Sequence, residues 1–220
     1  SVLSEVGMLP AELMGLDPKK FRQFDSLIKN KKFLDLLIKN TSSIFYFSKK
    51  KKFNSIILNY DAKSKYLFQW YQQLVAESLG KKGKGFLPAI SSMPKDNHSV
   101  MQLYLDGFKN NFFTFFFCSE KKAERLIKNN LLNSHKYLSL HSTESIIYNQ
   151  KIATERVFNK KNIPFRSFEL DLRNEKTLGE LFCYFILETI LLGKCLNVNA
   201  FDQPSVELIK TETRKLFNQR

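Results

Sequence analysis

Apolar positions along the chain follow two periods. Stretches with apolar residues three and four apart predict helices, and short unbroken apolar runs predict buried strands. Leu3 to Met14 reads as a helix. Asp17-Pro18 opens a second one running to Asn30, with aspartate as N-cap and proline in the first helical position. Phe33, Leu34, Leu37 and Ile38 predict a helix over Lys32–Asn40. Ile56-Ile57-Leu58 marks a strand within Phe53–Asn59, and Asp61–Leu79 a long helix closed by Gly80. Gly85–Ile90 is a second strand, followed by a helix over Asn97–Phe108 with Asp96 as its N-cap. The aromatic run Phe112–Cys118, set between Asn110-Asn111 and Ser119-Glu120, is the strongest strand signal. Helices are predicted over Lys121–Leu132 and Ser134–Asn159, a strand over Pro164–Asp171, and helices over Leu178–Leu192 and Val206–Phe217.

Strands separated by helices of this length require a parallel sheet covered on both faces. The expected fold is α/β, a three-layer doubly wound parallel sheet. Sheets of this kind take ligands at the carboxyl ends of their strands. No repeat or Pro/Gly-rich linker divides the 220 residues, so one domain over residues 1–220 is expected.

Composition changes this picture little. Hydrophobic residues make up 43% and charged residues 25%, as in soluble globular proteins. No apolar run reaches the ~18 residues that span a bilayer, and Glu5 and Glu12 break any leader-like start. Cys118, Cys183 and Cys195 lie far apart without C-x-x-C spacing, which predicts three buried free thiols, neither a disulfide framework nor a metal site, and a reducing cytoplasmic setting. The net charge of +14 raises the question of nucleic acid. The basic residues are scattered along the sequence, and the dense run Lys49–Lys52 reads as a solvated loop, so neither nucleic acid nor membrane is expected as a partner. An anionic small substrate needs only a few of these cations.

Three segments can carry chemistry. Trp70, Leu74 and Glu77 share a helix face, which places the Glu77 carboxylate at the end of an apolar stripe, partly desolvated, as suits a general base. If Asp96 caps a helix, His98 and Ser99 lie in its first turn, where an imidazole can act as a neutral hydrogen-bond donor or acceptor. Pro204 starts a helix on which Gln203, Glu207 and Lys210 are four and three apart; Glu207 and Lys210 can pair, or Lys210 can reach a substrate oxygen. Each segment also has an ordinary surface reading.

Taken together and in order, they resemble glucose-6-phosphate isomerases. Gly193-x-Cys195-Leu196-x4-Phe201-Asp202-Gln203-x-Ser205-Val206-Glu207-x2-Lys210 looks like that family's C-terminal signature, with Ser205 where the family prefers Gly or Ala. Gln72-Gln73-Leu74 with Glu77-Ser78-x-Gly80-Lys81 is similar to a second block, and Asp96-x-His98-Ser99-x2-Gln102-x4-Asp106-Gly107 to a third, in the short microbial form. Ser1 to Gly7 looks like the tail of the family's Gly-Arg-Phe-Ser signature. The resemblance spans the chain and implies the C-terminal sugar-isomerase domain of a two-domain enzyme, with the phosphate-binding N-terminal domain outside this sequence. It implies interconversion of glucose 6-phosphate and fructose 6-phosphate without cofactor, by ring opening and then proton transfer through a cis-enediol. Glu77 matches the carboxylate that moves the proton, His98 and Lys210 the residues of ring opening and proton handling, and Gln203 a substrate-contacting glutamine. His135 is a second candidate for the ring-opening histidine. The family is usually dimeric, with active sites near the subunit interface, so a homodimer is implied. A non-catalytic sugar-phosphate-binding module on the same fold is the alternative.

Overall fold

A computed structural model describes residues 2–119, 133–139 and 141–218. The chain opens with α1 (Glu5–Leu13), α2 (Pro18–Phe21), α3 (Asp25–Ile28) and α4 (Lys31–Lys49). It continues through β1 (Asn54–Asn59), α5 (Lys65–Leu79), β2 (Leu87–Ser92), α6 (Asp96–Ser99), α7 (Met101–Asp106) and β3 (Asn111–Cys118). It ends with α8 (Thr143–Lys160), β4 (Phe165–Leu170), α9 (Glu175–Leu196) and α10 (Pro204–Asn218). The helix expected over Lys121–Leu132 lies outside the described residues.

The four strands pair in parallel in the order β2-β1-β3-β4. The alternation of β3 shows how the sequence builds two faces. Phe112, Phe116 and Cys118 pack with Ile57 under α4, α5 and α9, while Phe113, Phe115 and Phe117 pack with Ile56 and Leu58 under α7 and α8. This is the expected three-layer, doubly wound arrangement. Phe158 of α8 is fully buried and meets the rings of Phe113 and Phe115 at 4.9 and 5.2 Å. A smaller cluster of Met8, Ala11 and Phe21 seats α1 and α2 on the start of α9. There Gly179 is required, because a Cβ would lie 2.0 Å from the Phe21 carbonyl oxygen.

Several boundaries differ from expectation. The second predicted helix is two short ones, α2 and α3, and α4 runs nine residues past Asn40, to Lys49. Within the extended helix Thr41 and Ser43 satisfy their hydroxyls by donating to the carbonyls of Leu37 and Lys39, at 2.8 and 2.9 Å. The helix predicted over Asn97–Phe108 breaks at Val100 into α6 and α7. Asp96 is its first helical residue instead of its cap, accepting from the Ser92 amide at 2.7 Å and the Ser99 hydroxyl at 3.0 Å. Cys118 and Cys183 are buried as expected, but Cys195 faces outward from the last turn of α9 and is exposed.

The topology also sorts charge. In this fold every helix-to-strand loop lies at the amino edge of the sheet. Lys49 to Lys52, Lys81, Lys82, Lys84, Lys109, Lys160 and Lys161 all fall in these loops or at the helix ends that feed them. Lysines scattered in sequence are therefore gathered on one edge. Crowding is visible at Lys52, whose ammonium donates to the Lys109 carbonyl and whose pKa is lowered by burial and by the Lys109 charge. Among the described residues no helix is long and apolar enough to cross a membrane.

Candidate active site

Glu77 sits in the last turn of α5, half-buried. Helical spacing places Gln73 one turn earlier, and its side-chain amide donates to Glu77 Oε1 at 3.0 Å. The other oxygen, Oε2, accepts from the amide of Gln203 at 2.9 Å, a residue 126 positions away. Both carboxylate oxygens are thus oriented by neutral donors, and among the described residues no cation is bonded to either. Glu77 and Gln203 line a cleft of about 240 Å³ between Ala76, Gly80 and Lys81 at the end of α5 and the segment from Gln203 to Val206 that leads into α10.

The segment that carries Gln203 is tied to α5 by polar bonds. Lys81 Nζ lies 2.9 Å from Asp202 Oδ1 and also donates to the Asn199 carbonyl. Asn199 donates to Asp202 Oδ2 at 2.9 Å, and Lys84 Nζ donates to the Leu196 carbonyl at 2.7 Å. The hydrogen bond from Lys81 holds the Asp202 carboxyl below the usual carboxylate range. Below the loop, Gly193 lets Ala200 approach α9; a Cβ there would stand 3.2 Å from that of Ala200.

Of the residues nominated from sequence, the structure brings Glu77 and Gln203 together. Lys210 lies seven residues beyond Gln203, on the exposed helix α10 that starts at Pro204, about 10 Å further along by helical rise, and its ammonium donates to Glu207 Oε1 at 2.6 Å. His98 is not at this site. Glu77 immediately precedes the loop that enters β2 at the amino edge, whereas His98 lies on α6, beyond Ser92 at the carboxyl edge. The six residues of β2 stand between them, about 20 Å of strand. His98 is exposed, as is His135 in a 3-10 turn over Asn133–Leu138. Glu77 lies at the edge opposite the carboxyl ends of the strands, where ligands were expected, since a residue at the end of a helix arrives at the amino edge. A larger cavity of about 430 Å³ does lie at the carboxyl ends of β3 and β4, lined by Ser119, Ser142, Glu144 and Asp171 among others, and contains none of the nominated residues. Among the described residues, no group of three His, Cys, Asp or Glu can hold a metal ion.

No family model matches the sequence. Curated proteins do. The chain is 32% identical to a glucose-6-phosphate isomerase of Methanocaldococcus jannaschii, covering all of this chain and 55% of that protein. It is equally 32% identical to one of Mycoplasmopsis pulmonis, covering all of this chain and 53% of that protein. The chain is a homologue of glucose-6-phosphate isomerases. It spans about half the length of the curated glucose-6-phosphate isomerases it matches. The fold agrees: a hypothetical protein of Thermus thermophilus superposes with a TM-score of 0.88 at 24% identity, over 99% of this chain and 54% of that one. A glucose-6-phosphate isomerase of Chlamydia trachomatis superposes with a TM-score of 0.58 at 17% identity, over 76% of this chain and 35% of that one.

Sequence reading missed two features of the site. Gln73 was legible from its i, i+4 spacing to Glu77. The Lys81–Asp202 bond joins segments 121 positions apart in number and carried no local signal.

Proposed function

We propose that this chain is the C-terminal sugar-isomerase half of a cytoplasmic glucose-6-phosphate isomerase, completed by a phosphate-binding N-terminal domain, and that Glu77 is its proton-transfer base. The observation that carries the reading is the contact between Gln203 and Glu77, which joins two of the segments by which the sequence resembles the family. After ring opening, Glu77 takes the proton from C2 of the aldose. The C–H electron pair becomes the C1–C2 double bond while O1 gains a proton, giving the cis-enediol. Return of the proton to C1, with loss of the O2 proton, gives the ketose. The two amides that orient the carboxylate leave a lone pair for the substrate carbon, which is the general-base arrangement. Gln203, just before α10, and Lys210, on it, face the sugar from one side.

His98 serves ring opening in the active site of a second copy. The sheet keeps it from Glu77 of its own chain, so both can act on one sugar only across an interface between copies, as in a homodimer. Exposed apolar side chains on α1 and α10, among them Val6, Leu13, Leu208, Ile209 and Phe217, each more than 65% exposed, provide surface for the missing domain and the second copy. The test is turnover of fructose 6-phosphate, coupled to glucose-6-phosphate dehydrogenase, by the full-length protein. An inactive mixture of Glu77→Gln and His98→Ala proteins that regains activity on subunit exchange supports the shared site; no recovery after verified exchange removes it.

A further inference from the structure

Gln203 sits where packing does little to fix it. Every residue of α10 is exposed, so that helix is not anchored by burial, and Gln203 lies in the loop that joins it to α9. Asn197 ends α9 in the left-handed conformation, and the chain then turns back toward the end of α5. What binds the loop there is the side chain of Lys81, only 10% exposed, which takes two points of the loop at once, the Asn199 carbonyl and the Asp202 carboxylate. Asn199 closes the turn by donating to Asp202 and accepting from the Phe201 amide at 3.1 Å. Lys81 follows Gly80 directly, four residues after Glu77, so the same helix end that presents the base also holds the loop that presents its partner.

We propose that Lys81 is a positioning residue, which acts through Asp202 and Asn199 to hold the Gln203 amide on the Glu77 carboxylate. The inference rests on the reading of Glu77 as base. The Lys81 ammonium is engaged by Asp202 and the Asn199 carbonyl, and it acts on the reacting atoms through Gln203. Removing it frees the loop, lets Gln203 leave Glu77 and loses the orientation of the carboxylate, so the effect falls on turnover more than on substrate affinity. A displacement of about an ångström at such a site costs tenfold to a hundredfold in rate.

The experiment compares Lys81→Met, Lys81→Arg, Gln203→Ala and the double variant Lys81→Met/Gln203→Ala in the full-length protein. It measures kcat and KM for fructose 6-phosphate and amide hydrogen exchange over residues 197–203. The expected result is a fall in kcat of about tenfold or more for Lys81→Met with KM within about twofold, partial recovery in Lys81→Arg, and faster loop exchange. The double variant is expected to be no slower than Gln203→Ala, because Lys81 acts through that residue. Losses that multiply in the double variant, or unchanged exchange in Lys81→Met, overturn the latch. Full kcat in Gln203→Ala overturns instead the site reading on which the inference rests.

Discussion

Glu188→Ala is the most informative stability test, because it opens the buried ion pair that links β4 of the sheet to α9. Glu188 is 1% exposed and accepts from both terminal guanidinium nitrogens of Arg166 of β4, Nη2 at 3.0 Å. It also accepts from the Tyr184 hydroxyl at 3.0 Å, which in turn accepts from Asn40 of α4 at 2.7 Å. Burial disfavours the Arg166 cation, yet Glu188 opposite it raises its pKa above the ordinary value, so the pair stays ionised. With the carboxylate gone, Arg166 is left with neutral neighbours such as the Thr114 hydroxyl at 3.0 Å, the Phe168 ring at 5.1 Å and the Tyr71 hydroxyl, which do not neutralise it. An unpaired buried charge of this kind costs about 3–5 kcal/mol. Trp70 of α5, the only tryptophan of the chain, packs edge-on against Phe182 of α9 at 4.8 Å, so its fluorescence reports this layer during urea unfolding. Glu188→Ala should lose about 3–5 kcal/mol, and Arg166→Met/Glu188→Leu should lose markedly less, since no charge remains unpaired. A single variant within about 1 kcal/mol of wild type, or a double variant as costly as the sum of the singles, would refute the reasoning.

Two further outcomes follow from the electrostatics. Tyr60 is pushed up to about 12 from 10.0, chiefly by burial, so the unfolded chain loses the phenolic proton first. Its stabilising effect is whole below pH 10 and declines as pH rises toward 12; the loss is about 2–3 kcal/mol, measured by urea unfolding, and Tyr60→Phe should flatten that decline. The Glu77 cleft lies at the lysine-rich amino edge, with Lys81 in its lining, so kcat/KM for an anionic sugar phosphate should fall as salt rises. Lys50→Gln/Lys51→Gln/Lys82→Gln should lower it severalfold at low salt and not at about 0.5 M, with kcat unchanged; equal effects at both salts would exclude steering.

The layers of the fold were readable because burial leaves a period. The continuous apolar run of β3 can only be a strand buried on both faces, and it is. Helix ends were less readable where tertiary partners override local preference. The polar stretch Asn40 to Ser43 reads as an end to α4, yet it continues because Leu37, Thr41 and Ile44 share a buried stripe that packs on α9. The site was legible residue by residue but not as a constellation. Nothing local in Glu77 or Gln203 announces a bond between them, and the family resemblance supplied both. The separation of His98 from Glu77 was in principle available, since a residue that ends a helix and one that follows a strand must reach opposite edges of a parallel sheet. The gathering of lysines on one edge follows from the same parity and was hidden by reading charge along the sequence instead of around the sheet.

The central claim is that Glu77 moves the proton in a glucose-6-phosphate isomerase of which this chain is one half. The most direct measurement is fructose 6-phosphate turnover by the full-length protein and its Glu77→Gln variant, with binding of the sugar phosphate followed in parallel. The account predicts turnover in the wild type and a loss of at least about a thousandfold in the variant, with the sugar phosphate still bound. Turnover by Glu77→Gln at the wild-type rate, or a folded full-length wild type that binds fructose 6-phosphate without converting it, would contradict the account.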